Sequence, residues 1–337
     1  MARANFLCFD RFQDSMRLGS LLIENPFVQA PMAGWTDAPY RTVARRFHDG
    51  LLFTEMVSAE ALCRGNKRTL QYCRIDERHH PVGFQLVGHD ADRMAEAARI
   101  AESFRPDFID INAGCPDLKI IMQGAGGALL RKPEKLAAMV AKVAGAVRTP
   151  VSVKLRLGWS RDESVRIGKM LEGTGAAFLT FNCYTVTQGH SGPGDRGALR
   201  RLVQEVCLPI VANGGVRDEE DAVAMLKFTG AEGVMLGRST RGRPDRPRTA
   251  CELLNGGKFQ GMDRETLNGT VREHARLECE QFGEERGMSR MRKHLHWYLK
   301  AGGVDNRSLP VDSLSTLEGL DELLERVNKL TGEQINR

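Results

Sequence analysis

Apolar and polar positions along this chain follow two alternating rhythms. Short apolar runs, each ending at Gly, Asn, Pro or a charged residue, are separated by longer stretches in which apolar residues recur every three to four positions. The short runs are Phe27–Ala30, Leu51–Thr54, Val82–Leu86, 108–112, Val151–Leu155, Ala177–Phe181, Pro209–Ala212 and Gly233–Leu236. Helical spacing fills 91–104, 133–147, 162–174, 196–206 and 218–229, and a further helix begins near Asp37 and Tyr40. Eight strand-then-helix units predict an α/β fold with a parallel, helix-covered sheet, and the count of eight favours a closed (β/α)8 TIM barrel over an open doubly wound sheet. From about residue 262 the strands stop, and Val271–Phe282, Met288–Ala301 and Leu314–Leu330 read as helices. The expected organisation is a catalytic barrel over 1–253 and a small helical domain over 264–337, joined by Leu254–Asp263.

In a barrel the residues that end each strand meet at one opening, so distant positions become neighbours. The set collected this way is Pro31, Met32, Ala33, Glu55, Gln85, Asn112, Cys115, Lys154, Asn182, Asn213, Gly214, Gly215, Gly237 and Arg238. Glycine-rich turns after the seventh and eighth strands predict a phosphate site, with Arg238 adding charge. Lys154, inward among apolar neighbours, needs an anionic partner such as a phosphate or an anionic ring, or else a covalent role as a Schiff-base nucleophile. An isolated cysteine is often core filler. Cys115, however, stands in Asn112-Ala113-Gly114-Cys115-Pro116, followed by Lys119 and Gly124-Ala125-Gly126-Gly127, which demands a sharp exit from a strand. With an ordinary pKa near 8.5 it is a thiol at neutral pH and can donate a proton. A proton donor beside an electron carrier describes reduction of a polarised double bond.

Composition narrows the class. With 337 residues, 42% of them hydrophobic, the chain can bury a full core, yet it has no apolar run approaching the roughly 18 residues that span a bilayer. Met1–Gln13 is too polar for a secretory signal, so a cytoplasmic location is expected. Eight cysteines without a Cys-x-x-Cys pair indicate free thiols, and neither a metal site nor a disulfide framework is expected. The net charge of +5 says little, but five arginines crowd 238–248 (Arg238, Arg241, Arg243, Arg246, Arg248), which points to a polyanion. In the 288–301 helix, Met288, Met291, Leu295 and Leu299 fall on one side, and Arg286, Arg290, Lys293, Trp297 and Lys300 on the other. An exposed basic face bearing an aromatic suits phosphate contact and base stacking.

Several stretches together resemble the tRNA-dihydrouridine synthases: Ala30-Pro31-Met32-Ala33-Gly34-Trp35-Thr36-Asp37, Phe84-Gln85-Leu86-Val87-Gly88, Asp110-Ile111-Asn112-Ala113-Gly114-Cys115-Pro116, Lys154-Leu155-Arg156-Leu157-Gly158-Trp159, Ala212-Asn213-Gly214-Gly215, Gly237-Arg238 and Arg292-Lys293-His294-Leu295-His296-Trp297-Tyr298. Their order and spacing, over residues 25–300, carry the likeness. The resemblance implies an FMN-dependent, NADPH-fuelled reduction of a uridine C5–C6 bond in folded RNA, with hydride passing from flavin to C6 and Cys115 protonating C5. It places Pro31, Met32, Ala33, Gln85, Lys154, Asn182, Asn213, Gly214, Gly215, Gly237 and Arg238 at the flavin. Asn112 would face an extruded uracil, and Glu55, Arg286, Arg290, Lys293 and Trp297 complete the expected substrate contacts. The implied partner is tRNA or another structured RNA, without DNA or membrane, and the expected state is a monomer.

One departure stands after the sixth strand, where the family has His-Gly-Arg-Thr and this chain has Asn182-Cys183-Tyr184-Thr185; His190 and Arg196 replace aromatic residues further on. Asn182 still donates a hydrogen bond but carries no charge toward the flavin, which shifts anion stabilisation to Lys154. The alternatives are a paralogue acting on another RNA such as ribosomal RNA, or with repurposed flavin chemistry, a small-molecule flavin reductase, a Schiff-base aldolase, and an RNA-binding protein without catalysis.

Overall fold

The computed structural model describes residues 15–335 apart from Ser308, with side chains described as far as Lys329; Cys8 and the remainder of the expected 1–253 and 264–337 ranges lie outside the described residues. An antiparallel hairpin, β1 (Met16–Leu18) and β2 (Leu21–Ile23), precedes the barrel strands β3 (Phe27–Gln29), β4 (Leu52–Phe53), β5 (Val57–Ser58), β6 (Val82–Val87), β7 (Phe108–Ala113), β8 (Val151–Arg156), β9 (Ala176–Asn182), β10 (Ile210–Asn213) and β11 (Gly233–Leu236). The barrel strands pair in parallel in the order β3-β11-β10-β9-β8-β7-β6-β4, with β5 continuing along β6 beyond β4. Between β3 and β4 the ring closes through a bond from Gln29 N–H to the Leu51 carbonyl (2.9 Å).

Helices follow the strands: α1 (Ala38–Arg45), α2 (Ala59–Cys63), α3 (Lys67–Tyr72), α4 (Ala91–Glu102), α5 (Leu118–Met122), α6 (Pro133–Ala144), α7 (Ser164–Leu171), α8 (Arg196–Glu205), α9 (Glu219–Thr229) and α10 (Arg246–Leu254). Three more, α11 (Arg264–Phe282), α12 (Glu284–Ala301) and α13 (Leu317–Ile335), form a separate bundle with its own apolar core around Val271, Met291, Leu295 and Leu324. None of the helices described is long and apolar enough to cross a membrane.

The strands are buried on both faces, and their two-residue period decides what reaches the barrel interior. In β7, Ile109, Ile111 and Ala113 pack under the surrounding helices, whereas Phe108, Asp110 and Asn112 point inward. A one-residue slip would put the aliphatic set inside and the polar set under the helices, so the register is fixed by burial. The interior is layered. Val28, Phe53, Phe108, Phe178, Val211 and Met235 fill its lower end, and the hairpin residues Met16, Leu18 and Ile23 seal it from below. Above them sit Gln85, Asp110 and Ser152, joined by hydrogen bonds of 2.7 Å. At the top are Asn112, Lys154, Asn182 and Asn213, brought level by the pairings Asn112–Lys154 and Asn213–Asn182. Apolar closure below and polar groups above leave the chemistry at the C-terminal end of the strands.

Candidate active site at the C-terminal end of the barrel

A cavity of about 750 Å³ opens there, within the size range of cofactor pockets. Its wall contains Pro31, Met32, Ala33, Gln85, Asn112, Cys115, Lys154, Asn182, Asn213, Gly214, Gly215, Gly237, Arg238 and Trp297, so all of the strand-end set except Glu55 meets there. Glu55, Arg286, Arg290 and Lys293 are not part of that wall.

The loop carrying Cys115 is built from both sides. Asn112 Oδ1 accepts the N–H groups of Gly114 (3.2 Å) and Cys115 (3.0 Å), while its Nδ2 donates to Gln85 Oε1 (2.9 Å). The Cys115 carbonyl accepts from Gly127 N–H (2.9 Å), and a Cβ at Gly127 would lie 2.9 Å from that carbonyl oxygen, which explains the glycine there. Arg156 Nε donates to the Gly114 carbonyl (2.8 Å), and its Nη1 donates to the carbonyls of Thr185 (3.0 Å) and Gly189. It thereby ties the cysteine loop to the loop after β9. Burial, with Asp117 nearby, raises the Cys115 thiol above its ordinary value, against the lowering effect of a backbone hydrogen bond, Lys154 and Arg156. Cys115 is consequently a protonated acid at neutral pH rather than a thiolate.

Lys154 extends from β8 to Asn213 Oδ1 (3.0 Å), which Asn182 Nδ2 also approaches (2.8 Å). Burial, reinforced by Arg156, lowers the Lys154 amine to about 8 although Asp110 opposes the shift. Asp110 is pushed up to about 6 by burial, against the hydrogen bonds from Gln85 and Ser152. The positive end of the cavity is completed by Arg238 and by the turn at Gly214 (φ +101°), where a Cβ would lie 2.7 Å from Asn182 Oδ1. Ser239, next to Arg238 on the wall, has a buried hydroxyl oxygen with no hydrogen-bond partner. An orphaned donor, a glycine turn and two cations on one cavity wall fit the phosphate end of a mononucleotide.

Part of the rim is aromatic. Trp35 and Trp297 meet edge to face with ring centres 6.4 Å apart, and the Arg241 guanidinium lies 4.3 Å from the Trp35 ring centre. Close docking of the bundle makes this pair: Gly242 (φ +69°) passes so near that any Cβ would collide with the Trp297 carbonyl. Trp35, Met56, Arg156, Tyr184, His190 and Arg241 line the cavity without having been singled out as site residues from the sequence. Arg156 was readable, because it is in phase with Ser152 and Lys154 on the inward face of β8.

Two charge expectations are corrected. The basic face of α12 is largely turned toward the barrel: Arg290 pairs with Asp37 and with Glu278 (2.9 Å), and Lys293 lies 5.7 Å from the Trp35 ring centre. Asp37 (at the start of α1) and Glu278 (on α11) are fully buried acids that a helix's own periodicity does not reveal. Arg286 and Lys300 do remain exposed. In the 238–248 cluster, Arg243 is taken by Glu219 (2.9 Å) and Asp245 (2.8 Å), Arg246 by Glu219 (3.4 Å) and Arg248 by Glu252 (3.2 Å). Only Arg238 and Arg241 of the five reach the cavity wall.

The chain's likeness to known proteins agrees with this site. The family model described as Dihydrouridine synthase (Dus) matches residues 28–330. The tRNA-dihydrouridine synthase B of Proteus vulgaris is 34% identical over 92% of this chain and 96% of its own length. A probable tRNA-dihydrouridine synthase of Rhizobium leguminosarum bv. phaseoli is 36% identical, covering 82% of this chain and 86% of its own. A solved variant of NCR from Zymomonas mobilis superposes with a TM-score of 0.54 at 20% identity, covering 75% of this chain and 94% of that one, which supports the barrel fold. With its cysteine loop, its lysine- and arginine-bearing cavity end and a match across nearly the whole barrel and bundle, the chain belongs to the dihydrouridine synthase family, flavin-dependent oxidoreductases that reduce uridine in tRNA.

Proposed function

We propose that this chain reduces the C5–C6 double bond of a uridine in tRNA to dihydrouridine, using FMN held across the cavity and NADPH as the source of electrons. The observation that carries this reading is that the Cys115 thiol and the Lys154–Arg238–Gly214 end open onto one cavity. Lys154, Arg238, Ser239 and the turns at Gly214–Gly215 and Gly237 would hold the phosphate and ring of FMN, with Pro31, Met32, Ala33, Gln85, Asn182 and Asn213 lining its bed. When bound, FMN supplies the hydride that C6 receives.

The protein's own part is positional and protonic. Cys115 gives its Sγ–H proton to C5 as C6 gains hydride, and the thiolate is reprotonated from solvent. Asn112 and Arg156 hold the loop so that the sulfur stays at the cavity wall. A base in folded RNA reaches the cavity only by extrusion, which costs a few kcal/mol. Trp297, half-buried on the cavity wall, is placed to offset that cost by stacking, and Arg286 and Lys300 on exposed α12 surface are placed for phosphates. A monomer in the cytoplasm completes the reading.

Two results test it. The chain reconstituted with FMN is expected to oxidise NADPH faster when unmodified tRNA is added, whereas an unchanged rate would oppose the reading. FMN affinity of the apoprotein is expected to weaken as pH rises through about 8, where Lys154 loses its charge, and Lys154→Met is expected to remove that dependence. A pH-independent affinity in the unaltered protein would remove Lys154 from the phosphate or ring site.

A second reading has its own observation. Asn182, Tyr184 and His190, where the chain departs from the family pattern, all line the cavity. Burial, with Arg156, Arg238 and Lys154 nearby, lowers the His190 imidazole to about 4, so it is neutral at physiological pH. A neutral, altered wall favours a different target nucleotide or a ribosomal RNA substrate, and parallel incubation with ribosomal RNA fragments distinguishes the two by which RNA carries the product.

A further inference from the structure

Away from the cavity, three ligand-type atoms converge where the bundle docks on the barrel. His274 and Glu278 lie four residues apart on α11 and so share one of its faces, and His294 projects from α12. All three residues are at most 1% exposed. His274 Nε2, Glu278 Oε1 and His294 Nε2 are each buried without a hydrogen-bond partner. One potential ligand atom from each residue lies within 4.8 Å of the others, and His274 Nε2 is 3.8 Å from Glu278 Oε1.

An unpaired buried polar atom has lost its water without gaining a partner, so three close together form a standing cost that a shared ligand would relieve. In His274 and Glu278 the other polar atom is already engaged. His274 Nδ1 meets the Tyr298 hydroxyl (3.1 Å), which leaves Nε2 as the free nitrogen, and Glu278 Oε2 accepts from Arg290 Nε (2.9 Å). Asp37 and Glu55 add buried carboxyl groups close to Arg290, which oppose the charge that Arg290, Lys293 and Arg241 bring toward the two imidazoles.

We propose that His274, Glu278 and His294 bind a divalent transition-metal ion of the zinc class that clamps α11 to α12 behind the rim tryptophans. Two imidazole nitrogens and one carboxylate oxygen form a ligand set suited to zinc, with a water or the second carboxylate oxygen as the fourth donor. Ligand atoms about 2.0–2.2 Å from the ion lie about 3.3 Å apart in a tetrahedron, so side-chain movements of about an ångström close the set. Tyr298 and Arg290 supply the outer contacts that orient the ligands. Burial makes the role structural. His294 contacts Trp35 with ring centres 4.5 Å apart, which links the ion to the geometry of the rim. The absence of paired cysteines argues against a metal in the sequence, whereas the i, i+4 spacing of His274 and Glu278 is the signal for one.

The test uses the full-length protein with Cys207→Ser, since Cys207 is the exposed thiol among the described cysteines. Zinc is measured by mass spectrometry after loading and dialysis, and thermal unfolding is followed after chelation and after zinc is returned. Expected are about one ion per chain, less than about a tenth of that in His274→Gln and in His294→Gln, and a melting temperature restored by zinc only in the parent. X-ray absorption at the zinc edge of the parent alone is expected to give nitrogen and oxygen neighbours, which keeps the proposal testable if a variant does not fold. Failure of the parent to retain zinc, full retention in both histidine variants, or a sulfur-ligated ion would overturn it.

Discussion

Cys115→Ala is expected to lower dihydrouridine formation by about a hundredfold to ten-thousandfold, the range by which a positioned acid accelerates proton transfer. Flavin binding and NADPH oxidation should stay close to those of the parent, because the substitution leaves Lys154, Arg238 and the Gly214–Gly215 turn in place. The loop should also survive, since the bonds holding it are made by main-chain atoms, from Cys115 N–H to Asn112 Oδ1 and from Gly127 N–H to the Cys115 carbonyl. The pH profile carries the same signature. Burial lifts the thiol above its ordinary value, so product formation in the parent should hold through neutral pH and fall only as alkali removes the proton. Single-turnover reduction of tRNA by the pre-reduced protein measures this step alone, and a variant that forms product at the parent rate would place the acid elsewhere.

Arg290→Met is expected to destabilise the protein by about 3–5 kcal/mol, because removing one partner of a buried ion pair leaves the others without compensation. Asp37 and Glu278 have side chains with no solvent exposure, and Arg290 is the cation placed between them. Asp37 additionally caps α1 by accepting the Tyr40 N–H (3.1 Å), so one carboxylate starts a barrel helix and receives the bundle. Loss of the guanidinium should loosen α12, move Trp297 off the rim and depress tRNA turnover, while the flavin spectrum persists. Denaturant unfolding of the apoprotein measures the effect. A change below about 1 kcal/mol would mean that the pair is dispensable for docking.

Much of the barrel and most of its opening were legible because one physical rule generates both. Strands buried on two faces read as short apolar runs, and their ends converge, so Cys115, Lys154, Asn213 and Arg238 could be brought together from residues more than a hundred positions apart. The hairpin over 16–23 is not among the runs that the apolar pattern marks, since three-residue strands carry too little periodicity, yet Met16, Leu18 and Ile23 close the lower end of the barrel. The α12 periodicity separated its two faces correctly but could not say which of them meets solvent. That depends on Asp37 and Glu278, acids on other helices, and the same reason hid Glu219 behind the arginines at 243 and 246. Charge along a sequence is visible, whereas its neutralisation by distant partners is not.

The most direct check is nucleoside mass analysis of an unmodified tRNA transcript incubated with the FMN-loaded chain and NADPH, then digested completely. The account predicts a uridine heavier by two hydrogens in the reaction with the parent chain, and its loss with Cys115→Ala. Recovery of only unreduced uridine from the parent reaction, while the bound flavin cycles normally with NADPH, would contradict it.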